Sequence, residues 1–157
     1  MLEILGSNSF QILPHIAALA VAYLLAIPIG WNREKEERSA GIRTFPLVAV
    51  ASCGFVQAAE PLIATDPEAM ARIVEGIITG MGFIGGGAIL RMKESVKGTA
   101  TAASLWATGA IGTAAGLGSY DVAVVLSGVT IITLWILSPL KPNLLPEARP
   151  PDDPASH

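Results

Sequence analysis

Residues 12–31 read ILPHIAALAVAYLLAIPIGW, and residues 32–43, which follow directly, read NREKEERSAGIR. A helix of about 20 mostly apolar residues is long enough to cross the roughly 30 Å hydrocarbon core of a bilayer. The first stretch has that length and holds no Asp, Glu, Lys or Arg. The abrupt change at Asn32 therefore predicts a membrane-spanning helix that ends in a charged loop.

Four further apolar stretches follow this first helix. The sequence predicts spans at about residues 45–64, 67–90, 99–117 and 122–137, in addition to the span at 12–31. The chain is 52% hydrophobic and only 15% charged, whereas a soluble domain carries about 25% charged residues. We therefore expect an all-α, polytopic membrane helix bundle with five transmembrane helices within residues 1–137.

The basic residues predict the orientation of these spans. Nine of the ten Lys and Arg residues follow the first, third or fifth span, and only Arg72 falls on the other side. The positive-inside rule makes the richer side cytoplasmic, so the N-terminus is expected outside and the C-terminus in the cytoplasm. A soluble bundle would not produce this alternation. The nine residues are Arg33, Lys35, Arg38, Arg43, Arg91, Lys93, Lys97, Lys141 and Arg149.

The C-terminal stretch, residues 138–157, contains six prolines. Proline removes a backbone donor and breaks helices, and the stretch has few apolar residues to bury. We expect a disordered cytoplasmic tail with no second soluble domain after it. The N-terminus lacks the basic segment of a signal peptide, so no cleavage is expected.

The third span begins with Asp66-Pro67-Glu68, a helix-capping pattern, and is rich in glycine. Two interpretations remain open. Small residues in GxxxG spacing allow close packing between helices or across a dimer. Alternatively, the helix unwinds locally and lines a cavity where freed carbonyl groups bind a cation. The glycines are Gly76, Gly80, Gly82, Gly85, Gly86 and Gly87, with Gly112 and Gly116 in the fourth span.

Glu75 lies inside the third span, about two turns past its start, and Thr79 lies one turn further along the same face. A charge at membrane depth costs several kcal/mol and is a functional candidate by default. The alternative is that Glu75 reaches the outer interface and pairs with Arg72, three residues earlier.

Two segments on the cytoplasmic side are further candidates. The first loop holds Arg33, Glu34, Gly41, Arg43 and Thr44, which form either a site or a solvated charge run that only sets topology. The fourth span begins with a second group, whose hydroxyls can bond the backbone or a neighbouring helix without binding a substrate. This group is Gly98, Thr101, Ser104 and Trp106.

Little in the chain suggests catalysis or a cofactor. Cys53 is the single cysteine, and neither His15 nor His157 has a carboxylate or cysteine close in sequence. We therefore expect no metal site, no cofactor and no catalytic triad. The basic residues form no patch that would suit a nucleic acid. The protein is not expected to be an enzyme.

Three blocks resemble motifs of the MgtC/SapB family. Residues 30–34 and 40–44 are similar to its "GxxRE…AGLRT" loop, and residues 79–87 are similar to its "GIGFLGAG" span. Residues 96–98 and 101–106 are similar to its "VRGLTTAASLW" segment. The blocks occur in order over most of the chain, which makes the combined signal specific.

The resemblance implies a five-span protein of the bacterial inner membrane. It implies a role in adaptation to low magnesium or in virulence, through regulation of partner membrane proteins, of which the ATP synthase is one for MgtC-like members. We expect the chain to lack the soluble C-terminal domain of MgtC-type members and to be of the shorter SapB-like type. It departs from the family pattern at Asn32, Thr99 and Ala100, and at Glu75, where an uncharged amide is more usual.

Two functional hypotheses follow. The first is a regulator that binds other membrane proteins through its glycine-rich faces and forms a homodimer or higher oligomer. The second is a small cation transporter or channel that acts as a dimer, because five spans do not divide into two equal inverted repeats.

Overall fold

The computed structural model describes residues 12–36, 40–63, 66–92 and 95–137. Residues 1–11 and the predicted tail at 138–157 lie outside this part of the chain. The helices are α1 (Ile12–Lys35), α2 (Thr44–Ala58), α3 (Glu60–Ile63), α4 (Pro67–Gly87), α5 (Thr99–Gly116) and α6 (Tyr120–Leu137). Between α4 and α5, strands β1 (Leu90–Met92) and β2 (Ser95–Lys97) form an antiparallel hairpin.

The predicted helical membrane fold is confirmed in its main feature. Four helical segments are long and apolar enough to cross a bilayer: Ile12–Lys35, Thr44–Leu62, Glu68–Gly87 and Tyr120–Leu137. Helix α5 is not among them because it consists largely of alanine, glycine, threonine and serine rather than large apolar residues. The described residues thus contain four candidate spans and one central helix of smaller residues.

Helix α5 lies at the centre of the bundle and contacts α1, α2, α4 and α6. Its side chains are small, so neighbouring backbones can approach closely. Gly112 lies against the backbone of Ala49 in α2, and a Cβ on Gly116 would lie 2.8 Å from the carbonyl oxygen of Cys53. The large aromatic core residue is Phe45 of α2, which is fully buried.

Helix α4 begins as its sequence predicts. The carboxylate of Asp66 accepts a hydrogen bond from the backbone N–H of Glu68 at 3.0 Å, and Pro67 occupies the first turn. Arg72 pairs with the carboxylate of Asp66 at 2.6 Å and with that of Glu68 at 3.7 Å. The helix packs mainly on α5, makes a slight contact with α2, and leaves most of its surface exposed.

Several boundaries differ from the predicted spans, among them the end of the first helix, which continues to Lys35 rather than stopping at residue 31. The second helix ends at Ala58, because Pro61 cannot continue it, and the chain restarts as the short α3. The third ends at Gly87, the last of three consecutive glycines, and the hairpin begins at Leu90, where the predicted span ended. The last helix begins at Tyr120, two residues before the predicted start.

Candidate functional site

The first charged loop folds back onto the last turns of α1. The Oε2 atom of Glu34 accepts a hydrogen bond from the backbone N–H of Ile42 at 3.1 Å. Gly41 leaves room for this carboxylate, because a Cβ at this position would overlap it and displace the Glu34 side chain. Gly30 allows the backbone of Ile42 to approach α1 closely, since a Cβ on Gly30 would lie 3.0 Å from the Cα of Ile42. The motif therefore forms a defined turn held by one carboxylate and two glycines.

The two arginines of this motif have opposite environments. Arg33 is only 2% exposed, and its Nη2 and Nε donate to the side-chain oxygen of Asn32 at 2.5 and 3.1 Å. Its guanidinium also lies 3.9 Å from the carboxylate of Glu36. Arg43 is exposed and faces a groove between α2 and α4. Arg33 thus belongs to the packed end of α1, whereas Arg43 remains accessible.

The group at the start of α5 is mainly structural in its described contacts. Gly98 has a φ of 93°, and a Cβ there would overlap the carbonyl oxygen of Ala88. Ser104 donates its hydroxyl to the carbonyl oxygen of Ala100 at 2.6 Å, one turn earlier. Thr101 is buried, and its Oγ1 has no hydrogen-bond partner among the described residues.

Trp106 is half-exposed and lines a cleft between α4, α5 and α6. Thr44 begins α2, where its backbone N–H donates to the carbonyl oxygen of Gly41 at 3.0 Å. It lines the same α2–α4 groove as Arg43. The two motifs therefore lie at or near the ends of helices, and their roles in function stay predictions.

The glycines fall into two classes that their spacing does not distinguish. The glycines of α5 are packed against other parts of the chain. Gly85 of α4 is also packed, because a Cβ on this residue would lie 3.4 Å from the carbonyl oxygen of Ala102. In contrast, the remaining α4 glycines have open space where a Cβ would stand. This open group is Gly76, Gly80, Gly82, Gly86 and Gly87.

Glu75 and Thr79 lie on an exposed face of α4. With Gly82 and Gly86, they recur at intervals of four, three and four residues, the spacing of a helix–helix seam. We call these four residues the outer stripe. Arg72 pairs with Asp66 and Glu68, as described above, and no described ion pair or hydrogen bond engages the Glu75 carboxylate.

The opposite side of α4 faces the groove shared with α2. This groove encloses about 790 Å³ and is lined almost entirely by apolar side chains. The sequence did not predict it, because its walls come from two helices whose separation depends on how each packs on α5. Its lining is Arg43, Thr44, Leu47, Val48, Ala51, Ser52, Phe55, Ile73, Gly76, Ile77, Gly80, Met81 and Ile84.

The outward surfaces of the helices are apolar. Leu24, Phe83, Val125 and Trp135 are each more than half exposed, on α1, α4 and α6. Water-soluble proteins rarely expose apolar surface to this extent, whereas lipid accommodates it. Together with the four long apolar helices, this surface defines the class as a multi-helix membrane protein.

Within that class, the chain belongs to the MgtC family, whose model matches residues 19–142. The predicted resemblance is therefore confirmed. Protein MgtC of Salmonella typhimurium is 39% identical over 121 residues, which cover 77% of this chain and 50% of that protein. Protein MgtC of Brucella abortus is 39% identical over 129 residues, covering 82% of this chain and 53% of the relative.

Protein SrpB of Synechococcus elongatus is 36% identical over 128 residues, covering 74% of this chain and 70% of that protein. The chain thus spans about half the length of the MgtC relatives and a larger share of SrpB. No solved structure matches the chain.

Proposed function

We propose that this protein regulates partner membrane proteins of the bacterial inner membrane, in magnesium homeostasis, stress adaptation or virulence. It crosses the membrane five times, with the N-terminus outside and the charged loops in the cytoplasm. The crossing added to the four apolar spans is α5, the fourth in chain order, whose modest hydrophobicity is compatible with a span because four apolar helices surround it. The family membership supports the physiological setting.

The observation that carries the regulatory proposal is the outer stripe of α4. Gly82 and Gly86 leave open space that a neighbouring helix can enter, and small residues at this spacing favour helix association in lipid. Glu75 is exposed on the same face at membrane depth, where contact with lipid alone is unfavourable. A partner helix that carries a hydrogen-bond donor would cover both features together.

The partner is a second copy of this chain or another membrane protein. The stripe presents one carboxylate, one hydroxyl and two glycines, so the helix that binds it carries a small-residue face with a polar group near Glu75. A homodimer and a heteromeric complex use the same surface, so binding of one competes with binding of the other. Such competition would couple self-association to regulation.

The proposal is tested by mild in-membrane crosslinking of the full chain, followed by purification and identification of attached chains. We expect Gly82→Leu and Gly86→Leu to abolish association. Gly128→Leu on α6 is the matched control, because it also replaces a glycine with open space and lies on another helix. If the unmodified protein captures neither itself nor a partner, or if all three variants behave alike, the proposal fails.

Growth in low-magnesium medium provides the physiological readout. A deletion strain complemented with Gly82→Leu should behave as the uncomplemented strain, whereas Gly128→Leu should restore wild-type growth. If both variants restored growth, the outer stripe would not be needed for the function.

A small cation transporter or channel, acting as a dimer, is the second candidate. It is favoured by Glu75 and Thr79, whose oxygen atoms lie on one exposed face and could meet those of a second copy. However, α4 is helical through Gly87, so its described backbone offers no unwound carbonyl groups as ligands. Reconstituted vesicles decide between the candidates: cation flux above empty liposomes that Glu75→Gln removes would establish transport.

A further inference from the structure

The groove between α2 and α4 is a shaped apolar surface at the edge of the bundle. Its floor is formed by Val48, Ser52 and Met81, which are buried, and its α2 rim by Leu47 and Phe55, which are 66% and 62% exposed. The α2 and α4 helices are antiparallel, joined through the short α3, and make few contacts with each other. The volume of about 790 Å³ lies within the range of about 300–1,000 Å³ that is usual for ligand pockets.

Two glycines give the groove its depth on the α4 side. Gly76 and Gly80 both line it, and neither would place a Cβ within 4 Å of another atom. The wall between Ile73 and Ile84 covers eleven residue steps, or about 16 Å at 1.5 Å per residue. One leaflet of the hydrocarbon core is about 15 Å thick. The groove therefore has the length of a lipid acyl region in a single leaflet.

A single positive charge lies at one end of this groove. Arg43 is exposed, and no ion pair or side-chain hydrogen bond engages it among the residues that the structure describes. The first backbone N–H groups of α2, those of Thr44 and Phe45, already donate to the carbonyl oxygen of Gly41. An anion at this end would therefore bind through the guanidinium, which suits the geometry of a phosphate.

We propose that the α2–α4 groove binds one anionic phospholipid, with its acyl chains along Gly76 and Gly80 and its headgroup phosphate on Arg43. The layout of the groove, a long apolar wall ending in one cation, is complementary to that of such a lipid. Basic pockets between membrane helices on the cytoplasmic side recognise anionic headgroups in this way. The inference rests on the membrane topology proposed above and not on partner regulation.

The site is distinct from the outer stripe. The groove residues Ile73, Gly80 and Ile84 lie on one side of α4, and Glu75 and Gly82 lie on the other, as the 100° rotation per helical residue requires. A lipid in the groove and a helix on the stripe can therefore be present together. The bound lipid would fill the space between α2 and α4 and fix the orientation in which α4 presents its stripe.

Native mass spectrometry of the full chain in detergent tests the proposal. The protein is titrated with phosphatidylglycerol and with phosphatidylcholine of the same acyl chains. We expect one phosphatidylglycerol per chain, bound about five-fold more tightly, the ratio given by the attraction of one basic residue near the membrane surface. Arg43→Gln should remove this preference. Lys97→Gln is the control, because Lys97 is also an exposed cation but does not line the groove.

A second pair of variants tests the location. Gly80→Phe fills the groove and should lower binding of both lipids at least five-fold, whereas Gly82→Phe, on the other face of α4, should not. If Gly80→Phe does not fold, as judged by its melting temperature, Gly76→Leu serves the same purpose. Equal binding of the two lipids by the unmodified protein, or unchanged binding by the filled variants, would overturn the proposal.

The other occupant of such a groove is a second copy of the chain. Disulfide crosslinking between Ile73→Cys copies, together with loss of lipid binding on dimerisation, would assign the groove to that copy and reject the lipid. Failure of the regulatory proposal would appear differently: Gly82→Leu would keep its partners while lipid binding stayed intact.

Discussion

The backbone of Gly112 in α5 lies directly against the carbonyl group of Ala49 in α2, with no room for a Cβ between the two helices. One turn further along, Gly116 makes the same kind of contact with Cys53. Small residues spaced by four thus bring α2 and α5 together within the chain. This contact uses the packing that the sequence predicts for GxxxG segments, whereas a Cβ on the open glycines of α4 would meet no other atom within 4 Å.

Gly112→Ala should destabilise the protein by roughly 1–3 kcal/mol, because its added methyl group overlaps a backbone that cannot move easily. Thermal unfolding in detergent measures the effect. The matched control is Gly128→Ala, whose Cβ meets nothing within 4 Å and whose helix propensity improves by up to about 1 kcal/mol. Equal melting temperatures for the two variants would show that the α2–α5 contact is looser than described.

Glu34→Ala should expose the backbone N–H of Ile42 to solvent, because the carboxylate of Glu34 is its described acceptor. We expect the amide of Ile42 to exchange about five-fold faster, as for loss of a hydrogen bond worth roughly 1 kcal/mol. Gly41→Ala should have the same effect, since its methyl group displaces that carboxylate. Hydrogen exchange measures both, and unchanged rates in the two variants would contradict the described turn.

Gly98→Ala should cost more stability than Gly118→Ala. Both glycines have positive φ angles, 93° and 75°, which cost roughly 1–2 kcal/mol for a residue with a Cβ. In addition, the methyl group added at Gly98 would overlap the carbonyl oxygen of Ala88, whereas the methyl group added at Gly118 would meet open space. Melting temperatures in detergent compare the pair, and a smaller loss for Gly98→Ala would argue against the close approach of α4 and α5.

Cysteine labelling tests the proposed orientation. In a Cys53→Ala background, Asp121→Cys should react with a membrane-impermeant maleimide from outside the cell, because the proposed orientation places the α5–α6 turn on the outer side. Lys97→Cys should react only after the membrane is made permeable. Both substituted positions are exposed in the described structure. The reverse labelling pattern would invert the topology and move Arg43 to the outer leaflet.

The positions of the helices were predictable because their signal is local. An uninterrupted apolar stretch such as residues 12–31 defines α1 without reference to any other part of the chain. The cap at Asp66 was likewise predictable from the residues that form it. The early end of α2 had a visible signal in Pro61, which the hydropathy of the region outweighed.

The partners of individual residues were less accessible to sequence analysis. Gly80 and Gly112 both belong to glycine pairs spaced by four, yet only the second is packed against another helix. The hairpin after α4 depends on Gly98 meeting Ala88 in three dimensions. The groove beside Arg43 depends on the distance between two helices. Such features arise from tertiary packing, so the spacing of residues along the chain does not predict them.

The composition of α5 has a consequence for biogenesis. A segment built largely from alanine, glycine, serine and threonine gains less from entering lipid alone than a segment of large apolar residues does. Its polar groups become favourable only when α1, α2 and α6 close around them. In the proposed five-span topology, α5 is therefore expected to enter lipid together with the helices that contact it rather than on its own.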